Sequence, residues 1–466
     1  MSLRALATAS RPFLLNSLKN TIKPQQPKII SNMLYRNYTS AAAAPIAGLG
    51  QPDMTKGPLY RYDTALPKLP VPTLAETCAL YLKSVRPLLN DTECCPEIHL
   101  LPFATTKARK TLINAGSQNE ELLRKIESSV FLLCLDDSSP VTRDEVSRAC
   151  WHGDGRNRFF DKALQFIVFE NGKAGFMGEH STMDGTPTCR LNDYVCTTLA
   201  QNKIDHGSAS VSANLEAPQK LNFAFNTAVH KAIETSEKNF EELIGKHGLY
   251  VQNYEGYGKG LIKKFKCSPD AYVQMIIQLA YFKMHGVSRP TYESAQVRKF
   301  QHGRTETCRT VSTESVAWVK AMEDPHVSAA EKTALFKKAL DSHVGYMAKA
   351  VEGHGVDRHL LGLRLSLKSH ESKPTMFQQE IFSRSSHWNL STSQLSGEHF
   401  DGYGWGEVVP DGYGVAYMVN EHNLSFNVAS MKEMHPERLH HYLKESATEM
   451  KQLFEQTLLE APKSKL

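Results

Sequence analysis

Apolar residues along this chain recur in two rhythms, one of helices and one of short strands, and the punctuation between them places several elements. Leu74, Cys78, Tyr81, Leu82 and Val85 fall at helical spacing. Thr73 stands before them as an N-cap, Glu76 three residues on completes a capping box, and Pro87 ends the run. Upstream, Leu66-Pro67-Lys68-Leu69-Pro70-Val71-Pro72 is an extended, proline-spaced stretch. Residues 128–135 form a short apolar run that a strand or a buried helix would fit; its brevity and the Asp-Asp-Ser-Ser-Pro after it favour a strand. Residues 163–170 have the same character, Asn171-Gly172 makes a turn, and Phe176 opens a second strand, so a hairpin delivers Glu179 and His180 to a strand end. Helices are predicted over 223–244, 270–284, 331–353 and 436–459. The second has Tyr272, Met275, Ile276, Leu279 and Phe282 on one face, with Ser268 as N-cap and Pro269 just inside its start. Residues 412–431 read as a hairpin turning at Asn420 to Asn423. Helices and strands mixed in this order predict α/β layers.

Composition changes this picture little, and charge changes it at one end. The 466 residues, 41% hydrophobic and 22% charged, are ordinary for two to four soluble domains. No run of about 18 apolar residues occurs, so no membrane span is expected. The net charge of +5 is carried by the first fifty residues, where Arg4, Arg11, Lys19, Lys23, Lys28 and Arg36 meet no acidic residue. The remainder sits near neutrality, which argues against a nucleic-acid partner. That basic, Ser- and Ala-rich leader reads as a mitochondrial transit peptide, with Met33 as a second possible start, and the final Ser464-Lys465-Leu466 as a peroxisomal address. Nine scattered cysteines without a C-x-x-C pair point to a reducing compartment and no disulfide framework.

The sharpest chemical feature is Glu179-His180-Ser181-Thr182-Met183-Asp184-Gly185. Histidine is the side chain whose pKa suits a general base near neutral pH. A carboxylate four residues on fixes local geometry or pairs with a cation, and Gly185 allows a tight turn beside the site. A surface histidine in a turn fits this motif equally well. Lys259, Lys263, Lys264 and Lys266 cluster just before a predicted helix start, where lysines and the helix N-terminus both favour phosphate oxygens; a solvated basic loop is the other reading. No Walker or dinucleotide glycine loop is present, which disfavours nucleotide hydrolysis and hydride transfer.

Together with the proline-spaced stretch, the histidine motif resembles the carnitine/choline acyltransferase family. Further matches follow in family order: Asn157-Arg158-Phe159-Phe160-Asp161-Lys162, Thr291-Tyr292-Glu293-Ser294-Ala295, Gly303-Arg304-Thr305-Glu306-Thr307, Asp357-Arg358-His359-Leu360-Leu361-Gly362-Leu363, Leu390-Ser391-Thr392-Ser393-Gln394 and Val408-Val409-Pro410-Asp411-Gly412-Tyr413-Gly414. The resemblance implies two chloramphenicol-acetyltransferase-like mixed-sheet α/β domains with the active site between them. It implies reversible transfer of a short acyl group between coenzyme A and carnitine, without an acyl-enzyme. His180 would be the base and Ser393 the oxyanion stabiliser. Arg358, Tyr292 and Thr305 would bind the carnitine carboxylate, with Ser391 and Trp405 as further carnitine contacts and Asp184 in support. Lys259, Lys263 and Asp270 would bind coenzyme A, and Tyr403 would fill the acyl pocket and select acetyl. Arg358 favours carnitine over choline, which has no carboxylate. No resident cofactor or metal is implied. The implied partners are carnitine, acyl-CoA and import receptors for the two addresses; peripheral membrane contact is compatible, and a monomer is expected.

The resemblance lapses between Leu89 and about His99, where family members carry a block on the order of 150–200 residues, the size of a domain. The expected organisation is therefore leader and linker over 1–60, a helical segment packed on the C-terminal domain over 61–90, an incomplete first domain bearing His180 over 98–220, and the coenzyme A and carnitine domain over 221–466. An inactive, shortened family member that still binds coenzyme A or a partner is the alternative, as are medium-chain acyl or choline substrates.

Overall fold

The computed structural model describes residues 64–88, 105–180, 183–205 and 218–460, with Asp53, Thr55, Tyr62 and Gly207 besides. The basic leader, the join at 89–99 and the terminal Ser-Lys-Leu lie outside the described residues. The chain divides into two units, one of residues 1–62 and 99–245, the other of 63–98 and 246–466. Helix α1 (Leu74–Val85) belongs to the second, and Thr73 and Glu76 form the capping box at its start. Its Tyr81 and Val85 bury against Val356, Leu360 and Phe377.

In the first unit, α2 (Thr105–Ile113) and α3 (Asn119–Glu127) lead to β1 (Leu132–Asp136), followed by α4 (Arg143–Trp151), β2 (Leu164–Phe169), β3 (Ala174–Gly178), α5 (Gly185–Ala200) and α6 (Thr227–Gly245). The strand expected from 128 begins later because Ser128 caps α3, its N–H donating to the Arg124 carbonyl. The unit closes at 245, where 220 was expected, because Val229 and Ile233 of α6 pack against Leu112 and Leu123. The sheet is mixed: β2 lies between a parallel β1 and an antiparallel β3. One face buries Cys134, Ile167, Phe169 and Met177 against Val146, Ala149 and Cys150. Much of the Asn157–Lys162 motif is structural. Arg158 grips Asp136 with two bonds of 2.8 Å, and Lys162 donates to the carbonyls of Glu127 and Ser129 at 2.7 Å.

In the second unit, β4 (His247–Tyr254), α7 (Lys259–Lys264), α8 (Pro269–His285), β5 (Thr291–Gln296), β6 (Thr305–Arg309), α9 (Thr313–Glu323), α10 (Ala329–Val351), α11 (Asp357–Leu365), α12 (Glu380–Ser385), β7 (Leu390–Gln394), β8 (Tyr413–Val419), β9 (Leu424–Met431) and α13 (Pro436–Glu460) follow in order. The sheet order is β4-β9-β8-β7-β5-β6, with β7 parallel to both neighbours and the other pairs antiparallel. Both units are thus α/β with mixed sheets. Tyr272, Trp318, Phe336 and Phe454 pack with Val415, Tyr417, Phe426 and Val428 into one core over one face of the sheet. The one-sided burial expected of α8 is corrected: residues 271–281 are all buried, because helices flank it as well as the sheet. Gln274 and Gln278 are tolerated there by bonding Thr392 and Thr291. The proline-spaced stretch runs against Gly353, whose φ of +79° and close approach to Leu69 and Pro70 leave no place for a side chain. Among the described residues no helix is long and apolar enough to cross a membrane.

Candidate active site

The sheet register of the second unit sorts the chemistry by face, since successive side chains along a strand point to opposite sides. Tyr292 pairs with Arg309 on one side and Ser391 on the other, Gln296 with Thr305, Ser391 with Gly414, and Ser393 with Ala416. Tyr292, Thr305, Ser391 and Ser393 therefore share the face away from the core, while Glu293, Thr392 and Tyr417 share the core face. Ser391, allowed by sequence to lie in a polar loop, is instead buried in β7. A Cβ on Gly414 would come within 2.5 Å of the Gly406 carbonyl and 2.7 Å of that of Trp405, so this glycine lets the 402–406 segment cross the site face closely. That crossing brings the Tyr403 hydroxyl to donate to the Ser393 carbonyl at 2.6 Å, with the rings of Tyr403 and Trp405 5.7 Å apart.

Arg358 stands in the first turn of α11, and the turn is braced from two sides. Its backbone N–H, one of the donors a helix start leaves unpaired, points to the Glu306 carboxylate at 3.3 Å. Glu306 also accepts the Thr307 N–H at 2.7 Å. Burial nevertheless pushes Glu306 up to about 7. Next to it, Asp357 is held by the Arg309 guanidinium through bonds of 2.7 and 2.9 Å. The Arg358 side chain donates from Nε to the Thr305 carbonyl at 3.0 Å and from Nη2 to the hydroxyls of Tyr292 and Thr305, both at 3.3 Å. Its Nη1 has no partner among the described residues. A planar cation flanked by two hydroxyls is suited to a carboxylate ligand.

The other expected residues stand each within its own unit. The lysines do not precede a helix as a loop: Lys259 and Lys263 lie one turn apart on α7, and Asp270 stands at the start of α8. Lys259 pairs with Glu398 at 3.1 Å and Glu421 at 3.8 Å, while Lys263 is exposed. The Asp270 carboxyl points inward, accepting from the Tyr417 hydroxyl at 2.7 Å. In the first unit, β3 ends at Gly178 and His180 follows, exposed, with Nδ1 3.8 Å from the Asp184 carboxylate. The tight turn expected at Gly185 is instead the opening of α5, with Asp184 in N-cap conformation.

A family model described as "Choline/Carnitine o-acyltransferase" matches residues 104–445. The chain belongs to the choline/carnitine O-acyltransferase family. It is 46% identical over 341 residues to the mitochondrial carnitine O-acetyltransferase of Saccharomyces cerevisiae, covering 71% of this chain and 51% of that protein. Human carnitine O-acetyltransferase is 37% identical, covering 75% and 57%. Choline O-acetyltransferase of Sus scrofa is 33% identical, covering 80% and 60%. The chain thus spans about half to three-fifths of the length of these curated relatives.

The supports of this cradle are not legible in the sequence. Glu306 and Asp357 sit inside quoted motifs, beside Thr305 and Arg358, yet an acidic residue next to a site residue carries no sign of whether it binds or braces. Glu293 was missed for the same reason. On the core face it meets His343 and Cys308, the three side chains bringing one polar atom each within 4.8 Å of one another, all buried.

Proposed function

We propose that this chain transfers an acetyl group between coenzyme A and the hydroxyl of carnitine. The observation that carries the reading is the Arg358 fork between the Tyr292 and Thr305 hydroxyls, with Nη1 left for a carboxylate. Carnitine offers that carboxylate and choline does not. In the transfer, a ring nitrogen of His180 takes the hydroxyl proton, and the oxygen attacks the thioester carbonyl. The negative charge on the carbonyl oxygen is met by the Ser393 hydroxyl, the carbon–sulfur bond breaks, and the leaving sulfur takes the proton from the imidazolium. Asp184 orients His180. Lys259, Lys263 and Asp270 take coenzyme A, Ser391 and Trp405 line the carnitine side, and Tyr403 fills the space a longer acyl chain would need.

The test is thiol release from acetyl-CoA with carnitine or choline as acceptor. His180→Ala should abolish turnover. Arg358→Ala should raise KM for carnitine by about 100-fold, as expected when one partner of a hydrogen-bonded charge pair is removed at a cost of roughly 2–5 kcal/mol. Turnover surviving in His180→Ala, or choline used as well as carnitine, would overturn the reading. A second reading has its own observation, the short span of this chain against its relatives. It is a member that binds coenzyme A without turnover, which a folded, coenzyme-A-binding but inactive parent would favour.

A further inference from the structure

Beneath the site face, the hydrogen bonds around Tyr417 can be assigned one by one. Thr392 donates its hydroxyl proton to the Tyr292 carbonyl at 2.8 Å, so it accepts from Gln274 Nε2 at 2.9 Å. With Thr392 out of protons the Gln274 atom facing it must be Nε2, and that amide orientation leaves Oε1 to accept from Thr310 at 3.2 Å. The other Nε2 proton therefore goes to the Tyr417 oxygen, 2.9 Å away. Tyr417 has a single proton of its own, and Asp270 Oδ1 at 2.7 Å takes it. Glu293 Oε1 also lies 3.2 Å from the Tyr417 oxygen, which has no second proton to offer. One of the two carboxyls must then hold a proton, and because a hydrogen bond to an ionised oxygen is the shorter kind, the 2.7 Å bond marks Asp270 as the ionised acceptor and leaves the proton to Glu293.

We propose that Glu293 holds a proton where free carboxyls have lost theirs and, through the Tyr417 hydroxyl, fixes Asp270 as an ionised, oriented carboxylate, making Glu293 a positioning residue for coenzyme A. The role rests on the coenzyme A reading of Asp270; the proton does not. The surroundings agree with a single shared proton. Burial pushes Asp270 and Glu293 each up to about 7. His343 on α10 lies with Nε2 3.0 Å from Glu293 Oε2, but burial pushes it down to about 4, so it supplies no positive charge. Cys308 on β6 and Tyr417 on β8 are both pushed well up by burial and stay neutral. Two ionised carboxylates here would be an uncompensated buried pair, which is strongly unfavourable.

Carboxyl-carbon NMR of the full chain, with Glu293 assigned through Glu293→Gln, reads the proton directly. At pH 5.5–6.5 the Glu293 carbon should keep its protonated shift, and folding should take up about one proton fewer in Glu293→Gln over that window. An ionised shift, or one equivalent of tightly held zinc that is lost in Glu293→Gln, would overturn the proton. Calorimetric titration with coenzyme A reads the role. Glu293→Met should weaken binding about tenfold or more. Glu293→Gln, which can still donate to Tyr417, should restore it to within about threefold. Glu293→Met binding like the parent would overturn the positioning role. A parent that does not bind coenzyme A would overturn the cofactor reading and the role with it, while the shift still decides the proton.

Discussion

The two sheets of this chain solve unequal problems. The six-stranded sheet of the second unit packs helices and a dense aromatic core on one face and presents polar site residues on the other. The three-stranded sheet of the first unit buries one face under α4 and leaves Leu133 and Leu135 on the other at 55% and 47% exposure. Helix α5, directly after the His180 motif, has no buried residue. The difference teaches that local sequence can specify strands and caps in both regions, while burial sufficient to hold a site rigid depends on having both faces provided for. The largest expected effect follows. Phe336 is fully buried among Tyr272, Trp318 and Phe454, with ring centroids 5.0–5.6 Å away. Phe336→Ala should cost the second unit about 3–5 kcal/mol. Hydrogen exchange should show the loss in β8 and β9 while β2 keeps its protection. Equal loss in both units would mean they unfold as one body, and the contrast would fall.

Acidity sharpens the contrast at a smaller scale. In the second unit burial raises Glu306 from its ordinary 4.5 to about 7. Below pH ~4.5 both folded and unfolded states hold this proton; as pH rises toward 7 the unfolded state loses it first, so stability falls across that window. The span is on the order of 2–3 kcal/mol. In the first unit the hydrogen bond from Arg109 holds Glu127 below the usual range. That contribution is present above the ordinary carboxylate pKa and is lost as pH falls through the lowered one; the pair is half-exposed and screened, so its effect is slight. Denaturant titrations from pH 7.5 to 5 should therefore stabilise the second unit and leave the first nearly unchanged. Glu306→Gln, which keeps an acceptor for the Arg358 N–H, should reduce the second unit's response by Glu306's share and leave the share of Glu293. A response unaltered in Glu306→Gln would remove this carboxyl as a source.

What the sequence discloses follows the same division between packing and chemistry. Thr73 with Glu76, the β2–β3 and β8–β9 hairpins, and the Ser268-Pro269 start of α8 are legible because each is a local pattern with a local cause. The strands that build the cradle are not. β5 reads Thr-Tyr-Glu-Ser-Ala-Gln and β7 reads Leu-Ser-Thr-Ser-Gln. They put hydroxyls on the site face and Glu293 or Thr392 on the core face, so neither shows the alternation that marks a strand. Their place in the sheet comes from pairing, β7 with β8, whose residues are all buried, and β5 with β7 in turn. The cradle itself was legible only through motif resemblance, since Tyr292, Thr305 and Arg358 lie far apart in sequence and meet through β5–β6 pairing and the brace on α11. The supports stayed hidden because a bracing carboxylate and a binding one look alike in a string of letters.

The smallest expected effect bears on the bare face of the first sheet. Leu133 and Leu135 alternate with buried Cys134 and, by register, stand beside Phe166 and Val168. Replacing both leucines by threonine keeps residues that favour strands and removes exposed apolar surface. Because neither side chain is buried, unfolding free energy should change by no more than about 0.5 kcal/mol. Light scattering should show less self-association, since contiguous apolar patches drive it. A loss of about 2 kcal/mol would instead show that something covers this face in solution. The first unit would then have both faces provided for, as the second has, and the inequality between the two sheets would belong to the isolated chain alone.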